Sequence, residues 1–298
     1  MSNKAWTKLV RFKALETGKV HLGQPVDLKL DVGLELLKGA KVVVHEISGA
    51  SALDPSARVT HKKLTVSKLL SPLTREEIGI VRCLGLNYTD HAAEAKMPLP
   101  DRPNLFYKPT SVIIGPNEPI VIPRVAQPAQ EVLPDYEVEL VIVVGKDAKD
   151  VPVEKANDYI LGFTAGNDVS FRKHQLAVTQ WGFSKSFDDT TPLGPCIVSA
   201  SAIDSTKLGL KTILNGQIRQ DGTTANLVFD AANVVSYLSQ GTTLKAGTVI
   251  YTGTPKGVGA FANPKVFLKD GDHVHVWVEH IGTLANPVIE EGQAKARL

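Results

Sequence analysis

The chain has 298 residues, of which 43% are hydrophobic and 21% charged, and this composition is typical of a globular protein. Its 33 basic and 31 acidic residues leave a net charge of only +2, which argues against nucleic acid or an acidic membrane as a partner. No apolar run approaches the roughly 18 residues of a membrane span.

The two cysteines, Cys83 and Cys196, lie in apolar stretches and predict buried free thiols in a reducing compartment. Two cysteines support neither a disulfide framework nor a zinc cluster. The N-terminus lacks the apolar core of a secretory signal. We therefore expect a cytoplasmic protein. A mitochondrial address is the alternative, because the segment before Glu16 is basic.

The first part of the chain is predicted to form a small β-rich domain over residues 1–75. It contains short strand patterns at residues 9–12, 20–23 and 41–46, with a turn signal between the first two. No chemistry is evident there.

A second domain is predicted over residues 76–298, with many strands and a few helices packed outside them. Thr89 or Asp90 can cap a short helix. Other helices are predicted near residues 155–159 and 231–239, and strands at 80–85, 160–164, 211–216, 248–253 and 273–279.

Two acidic residues interrupt the pattern of a buried strand in the stretch DYEVELVIVVGK, residues 135–146. Glu137 and Glu139 are two positions apart, so their side chains share one face of a strand. Carboxylates buried together repel each other and need compensation. The pair therefore either meets water on an edge strand or converges on a cation.

Asp168 supplies a third carboxylate shortly after the apolar run at residues 160–164. A set of three oxygen donors without nearby Cys or His favours Mg²⁺, with Mn²⁺ or Ca²⁺ as alternatives, over zinc. The sequence thus indicates an all-oxygen cation site formed by Glu137, Glu139 and Asp168.

Seven motifs give the chain a wider resemblance. They are LNYTDHAAE at 86–94, FYKPTS at 106–111, DYEVEL at 135–140, GFTAGNDVS at 162–170, KSFD at 185–188, PLGP at 192–195 and TGTPKGVG at 252–259. In this order they resemble the fumarylacetoacetate hydrolase family. The resemblance implies a mainly β fold with α elements, a mixed β-sandwich roll or barrel with short flanking helices, preceded by a small N-terminal β domain. It also implies a homodimer.

The resemblance assigns catalytic roles as well as the metal ligands Glu137, Glu139 and Asp168, which in the family usually hold Mg²⁺. Lys185 matches an active-site lysine that adds positive charge beside the reacting oxygen. His91 and Glu94, three residues apart on one helix face, match a water-activating pair in which the histidine is the general base. Without the resemblance, each would be interpreted as a surface residue.

Four further residues are assigned to substrate binding by the same resemblance. Thr254 matches a threonine that contacts the substrate carboxylate, and Arg172 and Gln175 match positions that line the pocket. Lys108 lies in a family motif. His174 departs from the acidic residue often found at its position and is left out of the predicted site.

The resemblance predicts a Mg²⁺-dependent enzyme acting on small 2-oxo acids that can enolise. The reaction is hydrolysis of acylpyruvates or other 2,4-dioxo acids, or decarboxylation of oxaloacetate-like acids. One alternative is an oxaloacetate keto-enol tautomerase or double-bond isomerase using the same site. Another is a catalytically silent binding protein. No nucleophile-elbow, zinc-protease or dinucleotide motif supports serine catalysis or hydride transfer.

Overall fold

The computed structural model describes residues 6–292, so residues 1–5 and 293–298, at the outer ends of the two predicted domains, lie outside it. Strands dominate this part of the chain: β1 (Lys8–Ala14), β2 (Val20–Pro25), β3 (Val43–Ile47), β4 (Val59–Leu70), β5 (Val81–Gly85), β6 (Asn104–Lys108), β7 (Ile113–Ile114), β8 (Ile120–Ile122), β9 (Pro134–Asp135), β10 (Val138–Val144), β11 (Ile160–Asn167), β12 (Ser170–Phe171), β13 (Thr191–Ser199), β14 (Gly209–Leu214), β15 (Gln217–Thr223), β16 (Val249–Tyr251), β17 (His273–Val278) and β18 (Gly282–Glu290).

The helices are short: α1 (Val32–Leu37), α2 (Thr89–Glu94), α3 (Ala129–Val132), α4 (Arg172–Leu176) and α5 (Ala231–Leu238). The segment Val153–Tyr159, predicted in part as helical, is a 3₁₀ helix. The expected cap of α2 at Thr89 or Asp90 is wrong by one or two residues, because the N-cap is Tyr88, whose side chain makes no capping hydrogen bond. None of the helices in residues 6–292 is long and apolar enough to cross a bilayer.

Most strands belong to one large mixed sheet with the order β2-β3-β4-β1-β13-β11-β10-β16-β5-β6. Strand β1 also pairs with β2, so β1 to β4 close on themselves. A second sheet has the order β15-β14-β17-β18-β8, and β9 pairs with β12. The mainly β architecture agrees with the sequence prediction. The proposed domain boundary at residue 75 stays a prediction.

Strand β10 lies between β11 and β16 and is buried along its whole length. Its alternation is visible in the packing. Val138, Leu140, Ile142 and Val144 belong to one hydrophobic cluster, and Val141 and Val143 belong to another. Since both faces are covered by apolar side chains, this strand is held rigidly and fixes the position of the side chains at its start.

Candidate active site

Three carboxylates meet where β10 begins and β11 ends. Val138 pairs with Asn167, and the Asp168 backbone N–H donates to the Glu137 carbonyl oxygen at 3.0 Å. This register brings one oxygen from each of Glu137, Glu139 and Asp168 within 4.8 Å of the others, with all three residues buried. The sequence prediction that these residues lie together therefore agrees with the structure.

Two buried lysines compensate Asp168. The Lys185 Nζ donates to Asp168 Oδ2 at 2.6 Å and to Glu137 Oε2 at 3.2 Å, and a further bond to Ser170 Oγ at 2.6 Å holds the ammonium. The Lys108 Nζ donates to Asp168 Oδ1 at 2.6 Å. Lys185 thus lies against the acidic cluster as predicted, whereas Lys108 contacts Asp168 from outside the pocket wall.

Arg172 lies at the start of α4, where its guanidinium joins two carboxylates. Its Nη2 is 2.7 Å from Glu137 Oε1, its Nε is 2.9 Å from Asp135 Oδ2, and its Nη1 donates to Gln175 Oε1 at 2.9 Å. Arg172 and Gln175 both line the cavity described below. Asp135, which the sequence analysis did not single out, is completely buried and holds Arg172 in place.

The pKa values of Glu137, which directly precedes β10, and Glu139, within it, are shifted in opposite directions. Burial, followed by the neighbouring Asp168 and Glu137 carboxylates, raises the pKa of Glu139 well above its ordinary value. Burial acts in the same sense on Glu137, but Lys185 and Arg172 outweigh it and hold the pKa of Glu137 below its ordinary value. The cations therefore compensate Glu137 and Asp168 and leave Glu139 short of positive charge.

The donor set fits a divalent cation. Three buried oxygen donors are close enough to share one ion, and hard oxygen ligands suit Mg²⁺ or Mn²⁺. The raised pKa of Glu139 has the crowding of carboxylates as one of its causes, which a bound cation would relieve. Glu137, Glu139 and Asp168 are the residues that would hold it.

The His91–Glu94 pair lies on α2, at the edge of the same cavity. His91 Nδ1 is 3.2 Å from Glu94 Oε2, and the Glu94 carboxylate also accepts the Gly257 backbone N–H at 3.0 Å. The Phe261 ring packs edge-on against the imidazole, with the ring centroids 5.9 Å apart. With Nδ1 directed at the carboxylate, the Nε2 atom is the nitrogen left to accept a proton.

Thr254 is held at the edge of β10. Its hydroxyl donates to the Val138 carbonyl oxygen at 2.9 Å and accepts from the Gln220 amide at 2.8 Å. The neighbouring Gly253 backbone N–H donates to Glu139 Oε2 at 2.6 Å. The motif TGTPKGVG thus positions Glu139 as well as Thr254.

These groups surround a cavity of about 360 Å³, which lies within the size range of small-ligand sites. Seven of the predicted residues line it: His91, Glu137, Glu139, Arg172, Gln175, Lys185 and Thr254. The other three, Glu94, Lys108 and Asp168, support these from behind. The sequence analysis missed the aromatic wall formed by Phe106 and Trp181. Phe106 lies in the FYKPTS motif, which was a usable signal, whereas nothing in the sequence pointed to Trp181.

A family model and two curated proteins are similar to this chain in sequence. Residues 80–289 match the family model described as fumarylacetoacetate (FAA) hydrolase C-terminal. Caffeoylpyruvate hydrolase of Neonothopanus nambi is 50% identical, over 97% of this chain and 95% of its own length. A mitochondrial oxaloacetate tautomerase of Xenopus laevis is 39% identical, over 87% of this chain and 77% of its own length.

Solved structures of known proteins are also similar to this chain. A 2-hydroxyhepta-2,4-diene-1,7-dioate isomerase from Mycobacterium marinum has a TM-score of 0.78 and 34% identity, covering 96% of this chain and 99% of its own. Fumarylpyruvate hydrolase from Pseudomonas aeruginosa, solved with Mn²⁺ and pyruvate, has a TM-score of 0.64 and 28% identity, covering 72% and 91%. These matches confirm the predicted fold.

Proposed function

Because this chain belongs to the fumarylacetoacetate hydrolase family and is an enzyme, we propose that it hydrolyses a carbon–carbon bond of acylpyruvates with the help of a divalent metal, preferably Mg²⁺. The observation that supports hydrolysis is the His91–Glu94 pair, which borders the same cavity as the carboxylate cluster. Proton transfer alone would not need a base directed at water. The relative that hydrolyses caffeoylpyruvate supports the same reaction class.

The metal would be held by Glu137, Glu139 and Asp168. When bound, it would polarise the 2-oxo carboxylate head of the substrate and stabilise negative charge there. A Mn²⁺ ion and pyruvate in the related fumarylpyruvate hydrolase support this assignment.

The buried cations would orient the substrate head. Arg172 and Gln175 line the cavity beside Glu137, where the guanidinium presents hydrogen-bond donors fixed by Asp135. The Lys185 ammonium, 2% exposed, lies close enough to the carboxylates to offset charge that develops on the substrate. Asp168 and then Glu137 raise the pKa of Lys185 against the effect of burial, so this ammonium stays charged.

His91 would activate the water. Its Nε2 accepts a proton while the water oxygen bonds to the C4 carbonyl carbon of the acylpyruvate. The C3–C4 bond then breaks, its electron pair goes to C3, and C3 takes up the proton from His91. The products are pyruvate and the carboxylic acid of the acyl group. Glu94, held by the Gly257 N–H, fixes the imidazole and stabilises its charged form.

A Mg²⁺-supplemented assay on acetylpyruvate, fumarylpyruvate and oxaloacetate tests the proposal when cleavage, decarboxylation and enol absorbance are measured separately. We expect cleavage of an acylpyruvate, and a loss of at least about 100-fold in kcat for His91→Ala, the scale of a missing general base. His61→Ala removes an exposed histidine and is the control. Full turnover by His91→Ala would refute the water-activating role.

Tautomerisation of oxaloacetate is the second candidate, supported by the relative from Xenopus laevis. It moves a proton between carbon and oxygen and needs no water. In the same assay, a change in enol absorbance without pyruvate release would favour it, and pyruvate release from oxaloacetate would favour decarboxylation.

We further propose a homodimer, as the family resemblance implies. Sedimentation equilibrium of the full chain would test it, with a mass near 32.1 kDa indicating a monomer instead.

A further inference from the structure

The cavity has two chemically different ends. Its buried end carries the charged groups, since Glu139 and Lys185 are 1% and 2% exposed. Its open end is mainly apolar, with Met97 and Phe261 about half exposed and Trp181 partly buried. A ligand whose 2-oxo acid head binds the charged end must direct its other end along the apolar wall.

The apolar wall is aromatic, beginning next to Lys185 and continuing towards the open end of the cavity. The Lys185 Nζ lies 4.9 Å from the centre of the Phe106 ring. The Phe106 ring in turn packs against Trp181, with centroids 5.4 Å apart and an angle of 73° between the planes. Edge-to-face pairs of this kind are favourable, and the two rings together give the cavity wall aromatic surface that a substrate ring can contact.

The position of the indole depends on a glycine. A Cβ atom on Gly85, the last residue of β5, would lie 2.8 Å from Trp181 Cζ3 and 3.0 Å from Asn104 Nδ2. Real side chains do not approach so closely, so Trp181 lies against the end of β5 only because residue 85 has no side chain. Asn104 is exposed and lines the same end of the cavity, where its amide offers a polar contact.

We propose that this open end is a subsite for a flat, conjugated ring, so that the preferred substrates are acylpyruvates with an aromatic acyl group. Trp181, Phe106 and Gly85 are the residues that set this specificity. The inference rests on the proposed function for the position of the 2-oxo acid head. A ring with a hydroxyl substituent would reach Asn104, whereas a short alkyl group would leave the aromatic wall uncovered.

An acidic tail is the competing occupant, because Lys265 also lines the cavity and is exposed. A second carboxylate on the substrate would pair with this lysine at the solvent edge, where such pairs contribute little. Apolar residues outnumber this lysine at the open end, where Met97, Trp181 and Phe261 line the cavity, so we favour the ring.

Steady-state kinetics with Mg²⁺ on benzoylpyruvate, acetylpyruvate and fumarylpyruvate test the proposal. The wild type should show the highest kcat/KM with benzoylpyruvate. In Trp181→Ala and Gly85→Ala this value should fall roughly tenfold or more, while that for acetylpyruvate changes less than about threefold. Phe183→Ala is the matched control, because Phe183 is 59% exposed on the same loop and does not line the cavity.

Equal losses on all three substrates would overturn the proposal, since Trp181 would then serve only the fold. A preference for fumarylpyruvate that disappears in Lys265→Ala would overturn it in favour of an acidic tail. A Trp181→Phe variant that keeps the preference for benzoylpyruvate would support a ring contact, because phenylalanine retains the aromatic surface.

A binding measurement tests the aromatic subsite independently of the proposed hydrolysis of acylpyruvates. The ligand 4-phenyl-2-oxobutanoate has a ring and a 2-oxo acid head but no 4-oxo group to attack, and 2-oxobutanoate lacks the ring. In titration calorimetry with Mn²⁺, tighter binding of the phenyl compound that is lost in Trp181→Ala supports the subsite even if benzoylpyruvate is not cleaved. Equal binding of the two ligands overturns it.

Discussion

At the scale of single residues, Glu137 and Glu139 are both buried, but their pKa values are shifted in opposite directions. They are two positions apart on one strand face, but the Arg172 guanidinium and the Lys185 ammonium both contact Glu137. Glu139 has the backbone N–H of Gly253 as its short contact, at 2.6 Å. The difference in pKa direction therefore follows from the placement of the cations and not from the sequence of the strand.

Glu139→Gln tests this imbalance. Glutamine keeps the shape and an acceptor for the Gly253 N–H but removes the charge that burial disfavours. The metal-free variant should therefore unfold at a denaturant concentration equal to or higher than wild type at pH 7.5. Conversely, metal should stabilise wild type by about 2.7 kcal/mol when its free concentration is about 100 times Kd, and the variant much less.

Thermal and urea unfolding with EDTA, Mg²⁺ and Mn²⁺ measure both effects. Glu131→Gln is the control, because Glu131 is exposed on α3. A variant that gains as much stability from metal as wild type would contradict the assignment of Glu139 as a ligand.

Cys196 predicts an alkaline dependence of stability away from the site. Burial, only partly offset by Lys8, raises the pKa of its thiol from the ordinary value of 9.0 to about 11, and the thiol donates to the Ile281 carbonyl oxygen at 3.2 Å. Because the folded pKa is raised, this contribution to stability is complete below pH 9 and is lost as the pH rises through 11.

The free energy of unfolding should therefore fall by about 2 kcal/mol between pH 9 and pH 11 through this group alone. Urea titrations at several pH values on wild type and Cys196→Ala measure it as a difference in slope. The variant should lose less stability over this window, even though it starts lower because of the cavity. Parallel curves would show that the thiol does not contribute.

At the scale of elements, Asp135 in β9 links Arg172 to the turn that carries Phe261. Its Oδ1 accepts the Gly259 N–H at 2.7 Å, and its Oδ2 accepts the Ala260 N–H at 3.0 Å and the Arg172 Nε–H. Both oxygens face donors only. An amide in this position would direct an N–H₂ group at another donor whichever way it turned.

Asp135→Asn should therefore displace Arg172 and raise KM by roughly tenfold or more, with a smaller change in kcat. Asp221→Asn is the matched control, since Asp221 is 59% exposed and pairs only loosely with Lys211 at 3.4 Å. Initial-rate kinetics on the acylpyruvate with the highest kcat/KM measure the changes in KM and in kcat separately. An unchanged KM would remove Asp135 from the positioning role.

The sequence predicted the strands that carry the site better than the helix cap and the contacts between residues that are distant in sequence. The run at β10 and the apolar run that becomes β11 were predicted from their β-branched residues, because buried strands have a local signature. The cap of α2 was wrong because Tyr88, which fits no capping pattern, occupies that position. Trp181 could not be predicted, since its place depends on Gly85, which is distant in sequence.

At the scale of the whole molecule, residues 6–75 are joined to the later part of the chain through both a strand pair and a helix. Strand β1 pairs with β13 at Lys8 and Leu9. Asp31 caps α1 by accepting the Leu34 N–H at 3.0 Å, and it also accepts both the backbone N–H and the hydroxyl of Thr283 in β18, at 2.9 and 2.7 Å. No local pattern predicts such long-range pairing, so the sheet order was beyond the sequence analysis.

Asp31→Ala should reduce the free energy of unfolding by about 2–3 kcal/mol, because a helix cap and two partly buried hydrogen bonds are lost together. Asp27→Ala is the control, as Asp27 is exposed and its carboxylate accepts only the Lys29 N–H, at 2.9 Å, among the side-chain bonds of the described chain. Urea unfolding measures both variants. A loss in Asp31→Ala no larger than in the control would show that this contact does not hold the N-terminal strands to β18.

The burial of β10 on both faces predicts that parts of the site open on different timescales. We expect the amide hydrogens of this strand to exchange with solvent only when the core unfolds, so the carboxylates at its start should keep their spacing during smaller, local openings. The Gly257 N–H, which is held by the single glutamate Glu94 on a six-residue helix, should exchange earlier, through local opening of α2. If substrate enters past His91, as the proposed function requires, we expect the carboxylate cluster to keep its arrangement while α2 opens and closes.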